Sequence, residues 1–200
     1  MKNFQVIIEQ VHEYVKDLLV NRLDSEHKFH NWNHTQEVVE ETQHLGGLCK
    51  LSDEDLVLLK IAAYFHDTGH VSCYTGHEEA SADIASKFLS QFDVSKRELD
   101  KISGLIKSTK LTKSCSTLLQ KVLHDADLSH IGKSYMEKRT NKLREEWEGC
   151  LEKKYKEKEW LVLQIDFLSN LRFYTEPAKK LYKETRKYHV EKLRKQLSLL

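Results

Sequence analysis

The sequence predicts an all-α protein. Three observations carry that expectation: one proline and seven glycines in 200 residues, apolar residues that recur every three or four positions along most of the chain, and no clear alternation of apolar and polar residues such as a half-buried strand needs. Phe4, Ile7, Ile8, Val11, Val15, Leu18 and Leu19 fall on one face of a first helix. A second opens at His34, continues through Val38, Thr42 and Leu45, and is expected to end at Gly46-Gly47. Ser52-Asp53-Glu54-Asp55 has the form of a capping box ahead of Leu56, Leu59, Ala63 and His66. Ala82, Ala85, Phe88, Leu89 and Phe92 mark a helix beginning near Gly76, and a second capping box, Ser95-Lys96-Arg97-Glu98, precedes Leu99, Ile102 and Ile106. Leu119, Leu123 and Asp127 share a face of a later helix.

From about Tyr135 the composition shifts. Lys138, Arg139, Lys142 and Arg144 are followed by Glu145, Glu146 and Glu148, which reads as a solvated, charge-rich helix. Thr175-Glu176-Pro177 is a cap with proline in the first turn. Ala178, Leu181, Thr185, Tyr188 and Leu197 then give the last helix its apolar stripe. With no repeat, low-complexity tract or linker, residues 1–200 read as one helical domain, with core motifs over 29–132 and C-terminal helices over 135–200.

Lysine and arginine (32) nearly balance aspartate and glutamate (31), for a net charge of +1. That argues against a protein whose main work is coating a nucleic acid duplex or an anionic membrane, and leaves room for a local basic pocket for a small anion. Cys49, Cys73, Cys115 and Cys150 are scattered, with no Cys-x-x-Cys pair, so free thiols in a reducing compartment are expected. The start Met1-Lys2-Asn3-Phe4 runs directly into an amphipathic pattern, unlike a signal peptide. No run approaches the ~20 apolar residues of a membrane span, and the expected location is the cytoplasm. The sequence gives no indication of oligomeric state.

The chemistry lies in three pieces: His30-Asn31-Trp32-Asn33-His34, then His66-Asp67-Thr68-Gly69-His70, then Asp125-Ala126-Asp127. Imidazole nitrogen with carboxylate oxygen and no thiolate suits a hard or borderline divalent ion. Asp67 follows Ala63 and Phe65, and Asp127 stands among Leu123, Ala126 and Ile131. A buried carboxylate needs a partner, and coordination of one ion by His34, His66, Asp67 and Asp127 satisfies all four at once. Each taken singly is more often a structural core residue. His30, His34, His70 and His77 crowding the dyad tip the balance.

This order of motifs resembles the HD superfamily of metal-dependent phosphohydrolases, an all-helical bundle named for its His-Asp dyad. The likeness runs from about Phe29 to Gly132. The segment from His30 to His34 is also similar to the His-Asn-x-x-His signature of cyclic nucleotide phosphodiesterases, as is the second histidine four residues after His66. The chain is much shorter than a phosphodiesterase catalytic domain and lacks a counterpart of its purine-selecting glutamine. It also lacks the Gly-Tyr-Pro segment of the cyclic-dinucleotide branch, with His70 where that branch has lysine.

The resemblance implies hydrolysis of a phosphoester or phosphoanhydride, on a nucleotide or similar small phosphorylated metabolite. It implies one or two divalent ions (Mn, Mg, Fe, Ni, Co or Zn), with Asp67 bridging where there are two. It makes His30 the general acid, a role suited to a group titrating near neutrality. His70 and His77 are expected to bind phosphate or a second ion, His70 among the catalytic group and His77 on the substrate side. Glu78 is a candidate for orienting water and Lys110 for touching phosphate. Two rival classes are a metal- and nucleotide-binding regulatory module with little turnover, and a helical interaction protein, which leaves the histidines unexplained.

Overall fold

The computed structural model describes residues 4–200. Met1-Lys2-Asn3, with the sequence reading of the extreme N-terminus, lie outside the described residues. Nine α-helices are present among the described residues: α1 (Phe4–Asn21), α2 (Trp32–Leu48), α3 (Asp53–Phe65), α4 (His77–Leu89), α5 (Lys96–Lys107), α6 (Leu118–Asp127), α7 (Met136–Cys150), α8 (Glu157–Asn170) and α9 (Glu176–Leu197). Short 3₁₀ turns follow α3 at Thr68–Val71 and α6 at Leu128–Gly132. There are no strands among the described residues, as expected, and no helix is long and apolar enough to cross a membrane.

α3 is the centre of the molecule. It starts at the surface, where the Ser52 hydroxyl accepts from the Asp55 N–H. From Leu58 onward it is buried on nearly every side, through Leu59, Ile61, Ala62, Ala63, Tyr64 and Phe65. A helix apolar all round belongs in the interior, and α1, α2, α4, α5 and α6 pack about it. The His66-Asp67 dyad is therefore delivered at the inner end of the most deeply buried helix.

Most helix limits follow from caps legible in the sequence. The Ser95/Glu98 box is formed in both directions, as is an unforeseen Thr117/Gln120 box on α6. Thr175 caps α9 with proline in its first turn. At Ser52 only the serine's half of the box is recorded, and the Asp55 carboxylate binds Lys101 at 2.6 Å instead.

Three expectations are corrected. Gly46-Gly47 does not end α2, which continues to Leu48 and closes where Lys50 turns left-handed at φ 55°. Lys50 N–H bonds back to Gly47 and Leu51 N–H to Gly46, a Schellman closure. Gly46 serves packing, because a Cβ there would stand 2.4 Å from Leu56 Cδ2 on α3. Secondly, the stripe assigned to α9 is only partly inward. Leu181 is 45% and Tyr188 61% exposed, while Ala178, Tyr182, His189 and Leu193 face the core. Tyr182 and His189 can be buried because their polar ends are satisfied by Glu41 and by the Lys133 carbonyl. Thirdly, α7 is not a uniformly solvated helix: Arg139 and Glu146 are buried on its inner face, beside Met136 and Thr140.

Candidate metal centre

The first motif is a helix start. Asn31 caps α2, its side chain accepting from Asn33 N–H at 3.1 Å and His34 N–H at 3.4 Å. Its amide donates to the Lys28 carbonyl at 2.9 Å, tying the cap to the preceding loop. His34 thereby lies in the first turn of α2, facing inward, and His30 sits just outside the cap. The second motif ends α3. His66 Nδ1 lies 2.8 Å from the Ala63 carbonyl and donates to it. This leaves Nε2 pointing at the carboxylates, the outer hydrogen bond that orients a ligating imidazole. Gly69 lets the turn press against α4: a Cβ there would come within 2.1 Å of the His77 carbonyl oxygen. The third motif ends α6, placing Asp127 opposite His34.

These groups converge. His34 Nε2 is 3.0 Å from Asp127 Oδ1 and 3.5 Å from Asp67 Oδ2. His66 Nε2 is 3.0 Å from Asp67 Oδ2 and 3.6 Å from Asp127 Oδ1. Ligand atoms of His34, His66 and Asp127 thus lie within 4.8 Å of one another, and Asp67 Oδ2 stands against both imidazoles. His66 Nε2 and Asp67 Oδ2 are buried and no hydrogen bond satisfies either. Burial without a partner is costly. Two imidazoles and two carboxylates fit a borderline divalent ion, and the orphaned atoms are those that such an ion would engage.

The electrostatics agree. Burial opposes a charge on His66, but Asp67 and Asp127 outweigh it and hold its pKa well above the ordinary histidine value. Burial likewise disfavours ionised Asp67 and Asp127, yet the surrounding histidines hold both below the usual carboxylate range. For His34, burial dominates and lowers the pKa. The carboxylates demand positive charge at this point, which a proton on His66 or a metal ion can provide.

A second cluster lies on the other side of Asp67. Ligand atoms of His30, Asp67 and His70 lie within 4.8 Å of one another. His77 Nε2 is 3.5 Å from Asp67 Oδ1, and its ring stacks on His70 at 3.9 Å between centroids. His70 is only 3% exposed, and neither ring nitrogen has a hydrogen bond. Burial, with His30 adding to the effect, pushes its pKa down to about 2, so the ring is neutral. Glu78 is also buried, its Oε2 without a hydrogen bond and 3.9 Å from His77 Nδ1. Lys110 follows α5, and among the described residues no hydrogen bond or ion pair joins it to either cluster.

The sequence reading missed what α7 supplies. Glu146 is fully buried and accepts from Phe29 N–H (2.7 Å), His30 N–H (2.9 Å) and the Tyr74 hydroxyl (2.8 Å), and it engages His30 Nδ1 as well. Burial would raise its pKa, but these bonds and the His30 charge bring it down to about 2. Arg139, one face and two turns away, is 5% exposed and stacks 4.5 Å over the Phe29 ring, which touches His30, His34 and His130. Its partner is Glu37 at 3.4 Å, and its Nε and Nη2 have no hydrogen bond. The signal for both was present: positions 136, 139, 140 and 146 share a helical face with Met136.

A family model for the HD domain matches residues 31–132, half of the chain, and spans His34, His66, Asp67 and Asp127. The chain belongs to the HD domain family. That places it in a superfamily of metal-dependent hydrolases. Several solved structures are similar in architecture. A predicted HD superfamily hydrolase from an uncultured Thermotogales bacterium is 21% identical with a TM-score of 0.64, over 95% of this chain and 91% of that one. Bacillus subtilis YpgQ in complex with ADP is 16% identical with a TM-score of 0.71, over 98% and 96%. The selenomethionine form of YpgQ gives 17% and 0.66, over 98% and 95%. At these identities the likeness establishes the shared fold. No curated protein matches the chain. His30 and Glu146 lie just outside and well beyond the HD match, respectively.

Proposed function

We propose that this HD domain is a metal-dependent phosphohydrolase acting on a phosphoester or phosphoanhydride of a nucleotide or similar small phosphorylated metabolite. The observation that carries the reading is the convergence of His34, His66 and Asp127, with Asp67 Oδ2 within 3.5 Å of both imidazoles, around buried donor atoms that no hydrogen bond satisfies. In this reading those four residues hold the ion. Chemistry supplied by a bound divalent ion is neutralisation of phosphoryl charge and acidification of water.

The chain's own residues do the rest. Ala63 fixes His66 through Nδ1. Asp67 turns one oxygen to each histidine cluster. In the phosphodiesterase-like form of the reading, His30 gives the leaving oxygen its proton from Nε2, because Glu146 engages Nδ1. His77 and His70 line the approach to Asp67, and Arg139 is the buried cation beside the cluster for a substrate phosphate, a better-placed group than Lys110. A nucleotide ligand is favoured by the ADP bound to YpgQ, which shares the fold.

The test is a panel of phosphorylated metabolites with Mn²⁺, Mg²⁺, Ni²⁺ and Co²⁺ added separately. Metal-dependent release of phosphate or pyrophosphate is expected, and Asp67→Ala should remove it. Tight metal and nucleotide binding with no turnover across the panel would instead assign the chain to the regulatory class.

A further inference from the structure

We infer that the cleft between α7, α8 and α9 is a second ligand site, and that it takes a small organic cation of the polyamine class, with ammonium groups joined by short methylene chains. It stands apart from the metal centre and does not rest on the hydrolase reading.

The cleft holds about 460 Å³, within the ~300–1,000 Å³ of small-molecule pockets. Helical spacing builds its walls. On α8, Glu157, Trp160, Leu161 and Gln164 follow at three- and four-residue steps and share the face that lines it. On α7, Asn141, Arg144, Glu145 and Glu148 do the same. This is the outer side of α7, whose inner side carries the buried Arg139 and Glu146. Leu193 of α9 joins Leu161 and Trp160 as buried apolar surface.

Two observations point to an occupant. The first is Gln164, which is 7% exposed and lines the cleft. Its amide makes no hydrogen bond among the described residues. Buried polar groups are nearly always paired, and the cleft is where a partner for this one can enter. The second is charge. Glu137, Glu145, Glu148 and Glu157 line the cleft against one guanidinium, that of Arg144. Arg144 is divided between Glu157 at 2.6 Å and Glu148 at 3.7 Å, and Lys192 pairs with Glu137. No ion pair or hydrogen bond reaches the Glu145 carboxylate among the described residues. The lining stays negative after its ion pairs are counted, so it repels a phosphorylated molecule and attracts a cation.

The arrangement selects a chain with charged ends. An ammonium group at the rim donates to Glu145 and Glu148. Methylenes lie on Leu161 and Leu193, and a second ammonium donates to the Gln164 carbonyl. The Trp160 ring adds attraction for positive charge, as Arg144 shows by standing 5.6 Å over it.

The experiment titrates spermidine into the full chain by calorimetry at low ionic strength. One saturable site per chain is expected. Gln164→Ala, and separately Glu145→Gln with Glu148→Gln, should each weaken binding about 10–100-fold, the size of one lost charge-assisted hydrogen bond. Asp67→Ala should bind spermidine as the wild type does. Circular dichroism checks that all variants keep their helices. No saturable binding at millimolar spermidine overturns the site. Affinity unchanged in both cleft variants also overturns it, since spermidine is then a diffuse counterion. Binding lost in Asp67→Ala places the cation at the metal centre and overturns the cleft. Saturable binding of adenosine with none of spermidine overturns the cation.

Discussion

Asp125 and Asp127 stand two residues apart at the end of α6, and the fold treats them oppositely. Asp125 is fully buried against the start of α9, where its oxygens accept from Tyr174 N–H, Thr175 N–H and the Thr175 hydroxyl at 2.7–2.8 Å. Its charge is absorbed by a helix N-terminus and three donors. Asp127 points the other way, toward α2 and α3, where its neighbours are histidines and the ionised Asp67. Positions two apart lie on opposite sides of a helix, so one carboxylate staples the C-terminal helices to the core while the other enters the site. A buried carboxylate is therefore not in itself a ligand. The difference lies in whether the surrounding donors leave any demand for a cation.

The strongest test of this contrast is on the side of the candidate site. Asp67→Ala should reduce hydrolysis to background and lose metal while keeping its helical circular dichroism, since the Asp67 carboxylate accepts from no backbone N–H and its main-chain bond from His70 N–H survives the substitution. Full activity in that variant would end the enzyme reading. On the structural side, Asp125→Ala leaves buried donors unpaired, and removing one partner of such a network costs about 3–5 kcal/mol. At about 2–4 °C per kcal/mol for a chain of this length, Tm should fall by roughly 6–20 °C with metal stoichiometry unchanged. A loss of metal with little loss of Tm would reverse the two roles.

Metal removal sharpens the contrast further. An ion binding only the folded state at 100 times its Kd stabilises by about 2.7 kcal/mol. Chelation should therefore lower the wild-type Tm measurably and leave Asp127→Ala unchanged; an equal drop in that variant would mean the ion sits elsewhere. The smallest effect concerns Glu41, another buried carboxylate. Burial would raise its pKa, but bonds from Lys133, Tyr182 and His44 outweigh it and lower the value. A lowered folded pKa contributes stability above the unfolded value, ~4.3, and loses it as pH falls through the folded one. The Tm advantage of wild type over Glu41→Gln should be present at pH 7 and shrink below about pH 4. A difference independent of pH would show that packing, not charge, is responsible.

Much of this molecule was legible before any coordinates. Helix class, the Ser95 and Thr175 caps and the inward positions of α1 follow from local rules: side-chain spacing fixes the buried face, and short polar side chains satisfy the first N–H groups. The His-Asp pieces were visible because several histidines crowd the dyad in sequence and both aspartates stand in apolar surroundings. The α9 stripe was misread because Leu181 and Tyr188 have the right spacing on the wrong side. Burial there was decided by Glu41 and the Lys133 carbonyl, partners 141 and 56 residues away in the chain.

By itself, then, the sequence determined which segments are helices and which residue types could hold a divalent ion, since both depend on neighbours within a few positions. Only the tertiary structure decided that four of those residues meet, that Asp67 divides its oxygens between two clusters, and that Glu146 stands behind His30. Those facts depend on the crossing of α2, α3, α6 and α7, and a charged run such as that around Arg139 and Glu146 looks solvated until the partner surface is in place. The same carboxyl group is a staple at 125 and a site residue at 127 because helix geometry turns them to different neighbours.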